Sequence, residues 1–219
     1  MKKLIIFDLD GTLLDTVEDI RYSLNTTLSK HGLRNLSREE VIKNTGFGAK
    51  KLVELSVGDI DKEWCEKVYQ DYVVELAGCD NSRTVLYDGL DVVLKALKSD
   101  GYELAVVSNK PDHIVKIVCE DKLKEYGFKF VMGNMPGVFN PKPDKGCVEY
   151  CLDKVGYTKE EAIYVGDSEV DVKTYLNADV DGIGVLWGFR SKEVLEEAGC
   201  IRLASSGAEL YDIIKSLEK

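Results

Sequence analysis

The sequence predicts an α/β protein with a doubly wound, Rossmann-like parallel sheet at its core. From about residue 85 onward, short apolar runs alternate with helical patterns. The apolar runs are continuous, which is typical of strands that helices cover on both faces. Several runs end in polar side chains, and sheets of this class bind their ligands at the carboxyl ends of the strands.

Five apolar runs are predicted strands, and three of them end at groups that can do chemistry, namely Asp8, Ser108 and Asp167. The runs span residues 4–7, 104–107, 128–132, 162–165 and 183–187. Apolar residues spaced three and four apart predict the intervening helices. These residues are Leu90, Val93, Leu94 and Leu97; Ile114, Val115 and Val118; and Val148, Cys151, Leu152 and Val155.

The stretch from residue 16 to residue 86 is different, because it has helical spacing and no strong strand pattern. Ser37 followed by acidic residues is typical of a helix N-cap. We expect residues 16–86 to form a small helical cap domain inserted after the first strand. Residues 1–15 and 87–219 then form the α/β core domain, with the cap lying over the catalytic edge.

The chain has a formal net charge of -10 and a sequence pI near 4.9. This charge argues against a nucleic-acid or anionic-membrane partner, because both attract a basic surface. No apolar stretch approaches the roughly 20 residues that span a bilayer, and no signal-peptide pattern is present. We therefore expect a cytoplasmic protein. Its six cysteines form no C-x-x-C pair and are expected to be reduced, buried thiols, and no pattern indicates an oligomeric state.

Asp8 and Asp10 follow the first predicted strand two positions apart, so both project to one side of an extended chain. Two close carboxylates repel each other unless a cation lies near them, and Mg²⁺ prefers oxygen ligands of this kind. Asp167 supplies a third carboxylate after another strand. Taken alone, the first pair also fits a calcium-loop fragment or a polar turn.

A cation and two hydroxyls complete the set. Lys142 lies in a loop between two prolines, and Thr12 and Ser108 supply the hydroxyls. Three acids, a lysine and two hydroxyls at one sheet edge indicate a site for a phosphate and a metal, because the cations offset the phosphate charge. The expected partner is a small anionic phosphorylated metabolite.

Four motifs in order resemble those of the haloacid dehalogenase superfamily of phosphatases, and the resemblance covers nearly the whole chain. The motifs are Asp8-Leu9-Asp10-Gly11-Thr12-Leu13-Leu14-Asp15-Thr16, then Ser108-Asn109, then Lys142-Pro143, then Gly166-Asp167-Ser168-Glu169-Val170-Asp171.

The resemblance implies a role for each motif. Asp8 would be the nucleophile that forms an aspartyl-phosphate, and Asp10 would be the general acid and base. Mg²⁺ would be bound by Asp8, the main-chain carbonyl of Asp10, and Asp167. Thr12 and Ser108 would hold phosphoryl oxygens, and Lys142 would neutralise charge. Asp171 would orient the lysine or a metal-bound water.

The helical insertion resembles the cap that closes over the site in this superfamily. In it, Gly46, Gly48 and Lys50 are candidates for substrate contact, with the alternative of a plain turn between helices. Asn109 either touches substrate or starts a helix, and for Lys110 we favour the helix start. Asp15 or Thr16 is expected to cap the first cap helix, and Glu169 is interpreted as a first-turn acid.

The segment 185–190 resembles phosphoglycolate phosphatases, with the alternative that Trp187 and Phe189 are core aromatics and Arg190 is a surface charge. The favoured substrate is therefore 2-phosphoglycolate. Pyrophosphatase, nucleotide or sugar phosphatase, and β-phosphoglucomutase-like phosphoryl transfer remain alternatives. A receiver-type signalling module is disfavoured, because its phosphorylated aspartate follows a later strand and it has no helical lid.

Overall fold

A computed structural model describes residues 1–218 of the 219-residue chain. Six strands form one parallel sheet in the order β5-β4-β1-β6-β7-β8, which confirms the predicted α/β fold. The strands of this sheet are β1 (Leu4–Phe7), β4 (Glu103–Pro111), β5 (Phe130–Asn134), β6 (Ala162–Gly166), β7 (Asp181–Val185) and β8 (Leu203–Ala204). Two further strands, β2 (Leu14–Asp15) and β3 (Val85–Leu86), pair with each other in an antiparallel ribbon.

The described part of the chain also contains ten α-helices. They are α1 (Val17–Lys30), α2 (Arg38–Asn44), α3 (Ala49–Val57), α4 (Lys62–Ala77), α5 (Leu90–Ser99), α6 (Asp112–Lys122), α7 (Gly146–Val155), α8 (Glu169–Asn177), α9 (Lys192–Glu197) and α10 (Gly207–Ser216). Short 3₁₀ turns cover Lys124–Tyr126 and Lys159–Glu161.

The sheet separates two apolar clusters, as continuous apolar strands require. Successive residues of β1 alternate between them: Ile5 and Phe7 belong to one cluster, and Leu4 and Ile6 to the other. The first cluster also takes the apolar faces of α5, α6 and α10, whereas the second takes those of α7 and α8. Both faces of the sheet are therefore buried, and its carboxyl edge is left to polar groups.

Strand register aligns the ends of the three central strands. Phe7 of β1 pairs with Val106 of β4 on one side and with Val165 of β6 on the other. The residues that follow these positions therefore meet at one edge. The register between β4 and β5 is irregular between Val107 and Pro111, where the polar residues of β4 lie.

Helices α1 to α4 lie between the two strands of the ribbon in sequence, as the helical pattern of residues 16–86 predicts. Helix α2 begins with a capping box, in which the Ser37 hydroxyl accepts from the Glu40 N–H and the Glu40 carboxylate accepts from the Ser37 N–H. The ribbon strands and β8 are only two residues long, which is too short for an apolar pattern to predict them. Strand β5 begins two residues later than predicted and β7 two residues earlier.

None of the described helices has the length and apolar composition needed to cross a membrane. All six cysteines are free, four of them buried and two, Cys65 and Cys79, half-buried. The prediction of reduced thiols is confirmed for all six, and that of burial for four.

Candidate active site

The carboxyl edge of the sheet brings together side chains that are far apart in sequence. Asp8 follows β1, Ser108 lies within β4, and Asp167 follows β6. All three are buried, each less than 10% exposed. Parallel pairing on both sides of β1 positions them, since the strand ends are in register.

Lys142 connects two of the acids. Its ammonium lies 2.8 Å from Oδ1 of Asp8 and 2.7 Å from Oδ1 of Asp171, and it donates to the Tyr164 hydroxyl at 3.0 Å. Burial lowers the pKa of Lys142, but the carboxylates of Asp171 and Asp8 more than offset this, so its pKa lies well above the ordinary value. Lys142 is therefore a fixed positive charge beside Asp8.

Asp171 has both carboxylate oxygens occupied. Oδ1 accepts from Lys142 and Tyr164, and Oδ2 accepts from the N–H and the hydroxyl of Ser168 at 3.1 and 2.6 Å. The Ser168 hydroxyl in turn accepts from the Asp171 N–H, which makes a capping box at the start of α8. Asp171 thus holds Lys142 in place and keeps no free oxygen edge for a ligand.

Asp167 is oriented by two donors from other parts of the chain. Its Oδ1 accepts from the Thr12 hydroxyl at 2.8 Å, and its Oδ2 accepts from the Phe189 N–H at 2.8 Å. The Thr12 hydroxyl, expected to hold a phosphoryl oxygen, therefore binds an acid in this structure. The indole N–H of Trp187 donates to the Thr12 carbonyl at 3.0 Å, so the loop after β7 holds both residues.

The charges at this edge are not balanced. Carboxylate oxygens of Asp8, Asp167 and Asp171 lie within 4.8 Å of one another. Burial raises the pKa of Asp8 to about 8, with Lys142 opposing the rise and the neighbouring acids adding to it. Burial, followed by the carboxylate of Asp171, raises the pKa of Asp167 to about 7. Both carboxyls are thus more readily protonated than an exposed acid.

Asp8 and Asp167 fit a divalent cation. Oδ1 of Asp8 is buried and accepts no hydrogen bond from the described residues, because its ion pair with Lys142 lacks hydrogen-bond geometry. Clustered acidic oxygens are the donors that hard divalent cations prefer, and a cation there would favour the ionised form of both acids. A second group of possible ligands, Asp19, Cys79 and Asp80, differs, because Arg83 and Thr84 already donate to Asp19.

Asp10 has partners that the sequence interpretation did not assign to it. Its Oδ1 accepts from the Thr16 hydroxyl at 2.6 Å, and the Lys110 ammonium lies 2.9 Å from Oδ1 and 3.2 Å from Oδ2. Thr16 stands at the N-cap of α1, but its side chain makes no capping hydrogen bond. Asp15 accepts from the Val17 N–H at 3.3 Å instead. Both hydroxyl and ammonium therefore orient the Asp10 carboxylate.

The interpretation of Lys110 as the start of a helix is wrong. The residue lies in β4, and α6 begins two residues later at Asp112. The strand runs through the polar residues after Val107, which directs Lys110 toward Asp10 rather than toward solvent. Its side chain is only 5% exposed.

Asn109 joins the core to the helical segment. Its amide nitrogen donates to the carbonyl of Lys142 at 3.0 Å and to that of Gly46 at 3.1 Å, and its Oδ1 accepts from the Lys142 N–H at 2.8 Å. One side chain thus fixes the loop that carries the lysine and contacts the loop between α2 and α3. The alternative in which Asn109 only starts a helix does not describe it.

Arg190 also connects the core to the helical segment, so the interpretation of it as a surface charge is wrong. Its guanidinium donates to the carbonyls of Ile42 and Thr45 at 2.9 and 2.6 Å, and to the carboxylate of Glu169 at 2.9 Å. Both carbonyls lie at the C-terminal end of α2, where free carbonyl groups favour a cation. Glu169, a first-turn acid of α8 as predicted, holds the guanidinium from the core side.

A cavity of about 40 Å³ lies between the sheet edge and helices α1, α3 and α4. Its polar lining combines most of the predicted site residues with Lys110 and Thr45. These residues are Asp8, Asp10, Thr45, Gly46, Gly48, Ser108, Asn109, Lys110 and Lys142. Its apolar lining is Ile20, Ala49, Leu52, Tyr72 and Leu76.

Lys50 does not reach this cavity. Its ammonium lies 2.7 Å from Glu66, and its side chain is 59% exposed. Gly46 and Gly48 do line the cavity, and Gly48 has a φ of 89° that an L side chain rarely adopts. The loop between α2 and α3 therefore presents backbone to the cavity, whereas Lys50, in the first turn of α3, faces away.

Sequence reasoning missed Lys110, Thr16 and Arg190 as parts of this arrangement. A weak signal existed for Lys110, which directly follows Ser108 and Asn109 in a strand that ends at the edge. For Thr16, the helix-capping pattern indicated a different partner. For Arg190 the partner carbonyls lie 145 to 148 positions away, and backbone acceptors leave no mark in a sequence.

Comparison with known proteins gives consistent matches over almost the whole chain. The sequence profile of the haloacid dehalogenase-like hydrolases matches residues 5–185. A phosphoglycolate phosphatase of Aquifex aeolicus is 33% identical over 188 residues, which cover 85% of this chain and 86% of that protein. A phosphoglycolate phosphatase of Colwellia psychrerythraea is 27% identical over 205 residues, which cover 90% of each chain.

Solved structures also match this chain over nearly its whole length. The crystal structure of a candidate phosphoglycolate phosphatase from Lactobacillus delbrueckii has a TM-score of 0.88 at 28% identity, covering 98% of this chain and 99% of that one. A candidate phosphatase from Clostridium acetobutylicum has a TM-score of 0.87 at 27% identity, covering 99% of both chains.

Proposed function

Because this chain belongs to the haloacid dehalogenase-like hydrolases and is a phosphatase of that family, we propose that it hydrolyses 2-phosphoglycolate through a phosphorylated Asp8, with Mg²⁺ bound beside it. The observation that carries the proposal is the environment of Asp8. Its carboxylate lies at the cavity, 2.8 Å from the Lys142 ammonium, and one of its oxygens accepts no hydrogen bond from residues 1–218.

The reaction has two displacements at phosphorus. A carboxylate oxygen of Asp8 attacks phosphorus, the bond from phosphorus to the ester oxygen breaks, and Asp10 gives its proton to that oxygen. A water molecule then attacks the same phosphorus atom and loses a proton to Asp10, and the bond from phosphorus to the Asp8 oxygen breaks. The products are the alcohol, inorganic phosphate and free Asp8.

The surrounding residues hold these groups in place. Lys142 offsets negative charge on Asp8 and on the phosphoryl group, and Asp171 and Tyr164 fix its ammonium. Thr16 and Lys110 hold the Asp10 carboxylate. The Ser108 hydroxyl, which lines the cavity, is placed to donate to a phosphoryl oxygen, whereas Thr12 acts by orienting Asp167.

Asp8, Asp167 and the main-chain carbonyl of Asp10 are the proposed ligands of Mg²⁺. When bound, the ion would offset the charge of the phosphoryl group and of the attacking carboxylate. Asp171 is not a proposed ligand, because Lys142, Tyr164 and Ser168 occupy its oxygens.

A small substrate suits the dimensions of the cavity. A cavity of about 40 Å³ has room for only a few water molecules, since one water needs roughly 10–15 Å³. We propose that residues 16–86 act as a cap that closes over the substrate and excludes water. The polar contacts of Arg190 and Asn109 with the loop after α2 support a closed arrangement.

A panel of phosphorylated metabolites tests the proposal. We expect the highest kcat/KM for 2-phosphoglycolate in the presence of Mg²⁺, with lower values for pyrophosphate, nucleoside monophosphates and hexose phosphates. The Asp8→Asn variant is the control for contaminating phosphatases. A preference for another member of the panel would contradict the substrate assignment, and a requirement for a bisphosphate activator would indicate a mutase.

A further inference from the structure

Two lysine ammonium groups line the cavity among the described residues, and they differ in how many groups they contact. The Lys142 ammonium donates to Asp171 and to the Tyr164 hydroxyl, and it also forms an ion pair with Asp8. The described residues offer Lys110 only the carboxylate of Asp10. Lys110 therefore keeps at least one donor for a further group.

Burial makes this incomplete pairing informative. A buried cation is costly unless acceptors surround it, and the Lys110 side chain is only 5% exposed. Its single carboxylate partner, Asp10, is shared with the Thr16 hydroxyl. A second anion in the cavity would therefore complete the surroundings of Lys110.

We propose that Lys110 binds a carboxylate on the leaving group of the substrate and so selects phosphorylated hydroxy acids over phosphate esters of neutral alcohols. This inference rests on the proposed function, in which Asp10 serves the ester oxygen. In a phosphorylated 2-hydroxy acid, the ester oxygen and the carboxylate sit on adjacent carbon atoms. The adjacent pair of Asp10 and Lys110, 2.9 Å apart, matches these two groups.

Other cations near the cavity are already committed elsewhere. Lys50 is paired with Glu66 and is largely exposed. Arg190 donates to Glu169 and to two backbone carbonyls at the C-terminal end of α2. The cavity wall formed by Ile20, Leu52 and Leu76 carries no charge. Among the described residues that line the cavity, Lys110 is therefore the cation available to bind a substrate carboxylate.

The test compares 2-phosphoglycolate with ethyl phosphate, in which a methyl group replaces the carboxylate. We expect Lys110→Met to lower the ratio of kcat/KM between the two substrates by roughly tenfold or more, because charge-assisted hydrogen bonds exceed neutral ones in strength. Lys110→Arg keeps the charge and should retain most of the preference. Lys116→Met is the matched control, since the Lys116 ammonium lies on the surface against Asp112.

Equal losses for both substrates in Lys110→Met would overturn the proposal, because Lys110 would then only orient Asp10. A wild-type enzyme without preference between the two substrates would also overturn it and would leave the phosphatase assignment intact. Turnover of neither substrate would instead contradict the proposed function. In that case, calorimetry still decides the role of Lys110, by comparing the affinity for 2-phosphoglycolate of Asp8→Asn with that of the double variant Asp8→Asn, Lys110→Met. A roughly tenfold weaker affinity in the double variant supports the role, and equal affinities overturn it. Circular dichroism verifies the fold of each variant.

Discussion

The backbone N–H of Phe189 donates to Oδ2 of Asp167 at 2.8 Å, so a loop that follows β7 orients an acid that follows β6. The close approach depends on Gly188. A Cβ atom at this position would lie 2.5 Å from Oδ2 of Asp167 and 2.5 Å from the carbonyl oxygen of Gly11. The space between the two loops therefore admits only glycine without a shift of the acid.

We expect Gly188→Ala to weaken Mg²⁺ binding and to lower kcat, because the added methyl group displaces Asp167. Titration of activity against Mg²⁺ concentration measures the effect, with an expected rise of roughly tenfold in the concentration for half-maximal activity, the scale found when partners of metal ligands are changed. Gly78→Ala is the control, since its Cβ would meet only ordinary contacts at 3.6 and 3.7 Å. An unchanged Mg²⁺ requirement in Gly188→Ala would contradict the role of Asp167.

Asp8→Asn should abolish turnover while the protein keeps its fold, because the amide has nearly the same shape but is a poor nucleophile. We expect a loss in kcat of roughly a thousandfold or more. Hydrolysis of an aryl phosphate measures the loss, and acid quenching with mass spectrometry detects phosphorylated wild-type protein. The control Asp153→Asn changes an exposed acid. Substantial turnover by Asp8→Asn would exclude the covalent route.

The stability of the metal-free protein should fall as the pH rises. The pKa of Asp8 lies at about 8 and that of Asp167 at about 7 in the folded protein, above the ordinary carboxyl value. The folded state therefore binds more protons than the unfolded state between the ordinary value and these raised values. The resulting stabilisation is complete below the ordinary value and is lost as the pH rises through 7 and 8.

Thermal unfolding in the presence of a chelator, from about pH 5 to about pH 9, measures this slope. We expect Tm to decrease over this range and the decrease to be smaller in Asp167→Asn, which cannot ionise at that position. Added Mg²⁺ should raise Tm more at the alkaline end, because the metal needs ionised carboxylates. The same slope in the variant as in the wild type would contradict the raised pKa of Asp167.

Arg190→Met should loosen the contact between the loop after β7 and the end of α2, because its two hydrogen bonds to the carbonyls of Ile42 and Thr45 are lost together with the bond to Glu169 that holds the guanidinium. We expect KM for the substrate to rise by roughly tenfold, with a smaller change in kcat. Hydrogen exchange of residues 42–48 should become faster, which a purely catalytic defect would not cause. Arg202→Met is the matched control, since its guanidinium pairs with Asp181 and neither residue lines the cavity. Unchanged exchange in Arg190→Met would show that Arg190 does not hold this loop.

Local patterns in the sequence were enough to predict the parallel sheet and the acids at its edge. The continuous apolar run before Asp8 identifies a buried strand, and Asp167 follows a run of the same kind. The partners of Asp10 were not predictable, because the contact with Lys110 joins positions 100 residues apart. Lys50 shows the converse error: proximity in sequence to a glycine-rich loop did not bring its ammonium to the cavity.

The ribbon of β2 and β3 constrains the proposed motion of the cap, helices α1 to α4, against the sheet. The chain leaves the core through Leu14 and Asp15 and returns through Val85 and Leu86, and these two crossings are hydrogen-bonded side by side. If residues 16–86 open as the proposed cap, helices α1 to α4 would therefore rotate about this pair of strands. Thr16, which directly follows β2 and donates to Asp10 at 2.6 Å, would lie next to this axis of rotation. Thr45 and Gly46 lie on a loop that is distant in sequence from both β2 and β3, so they would move with the part of the cap away from this axis.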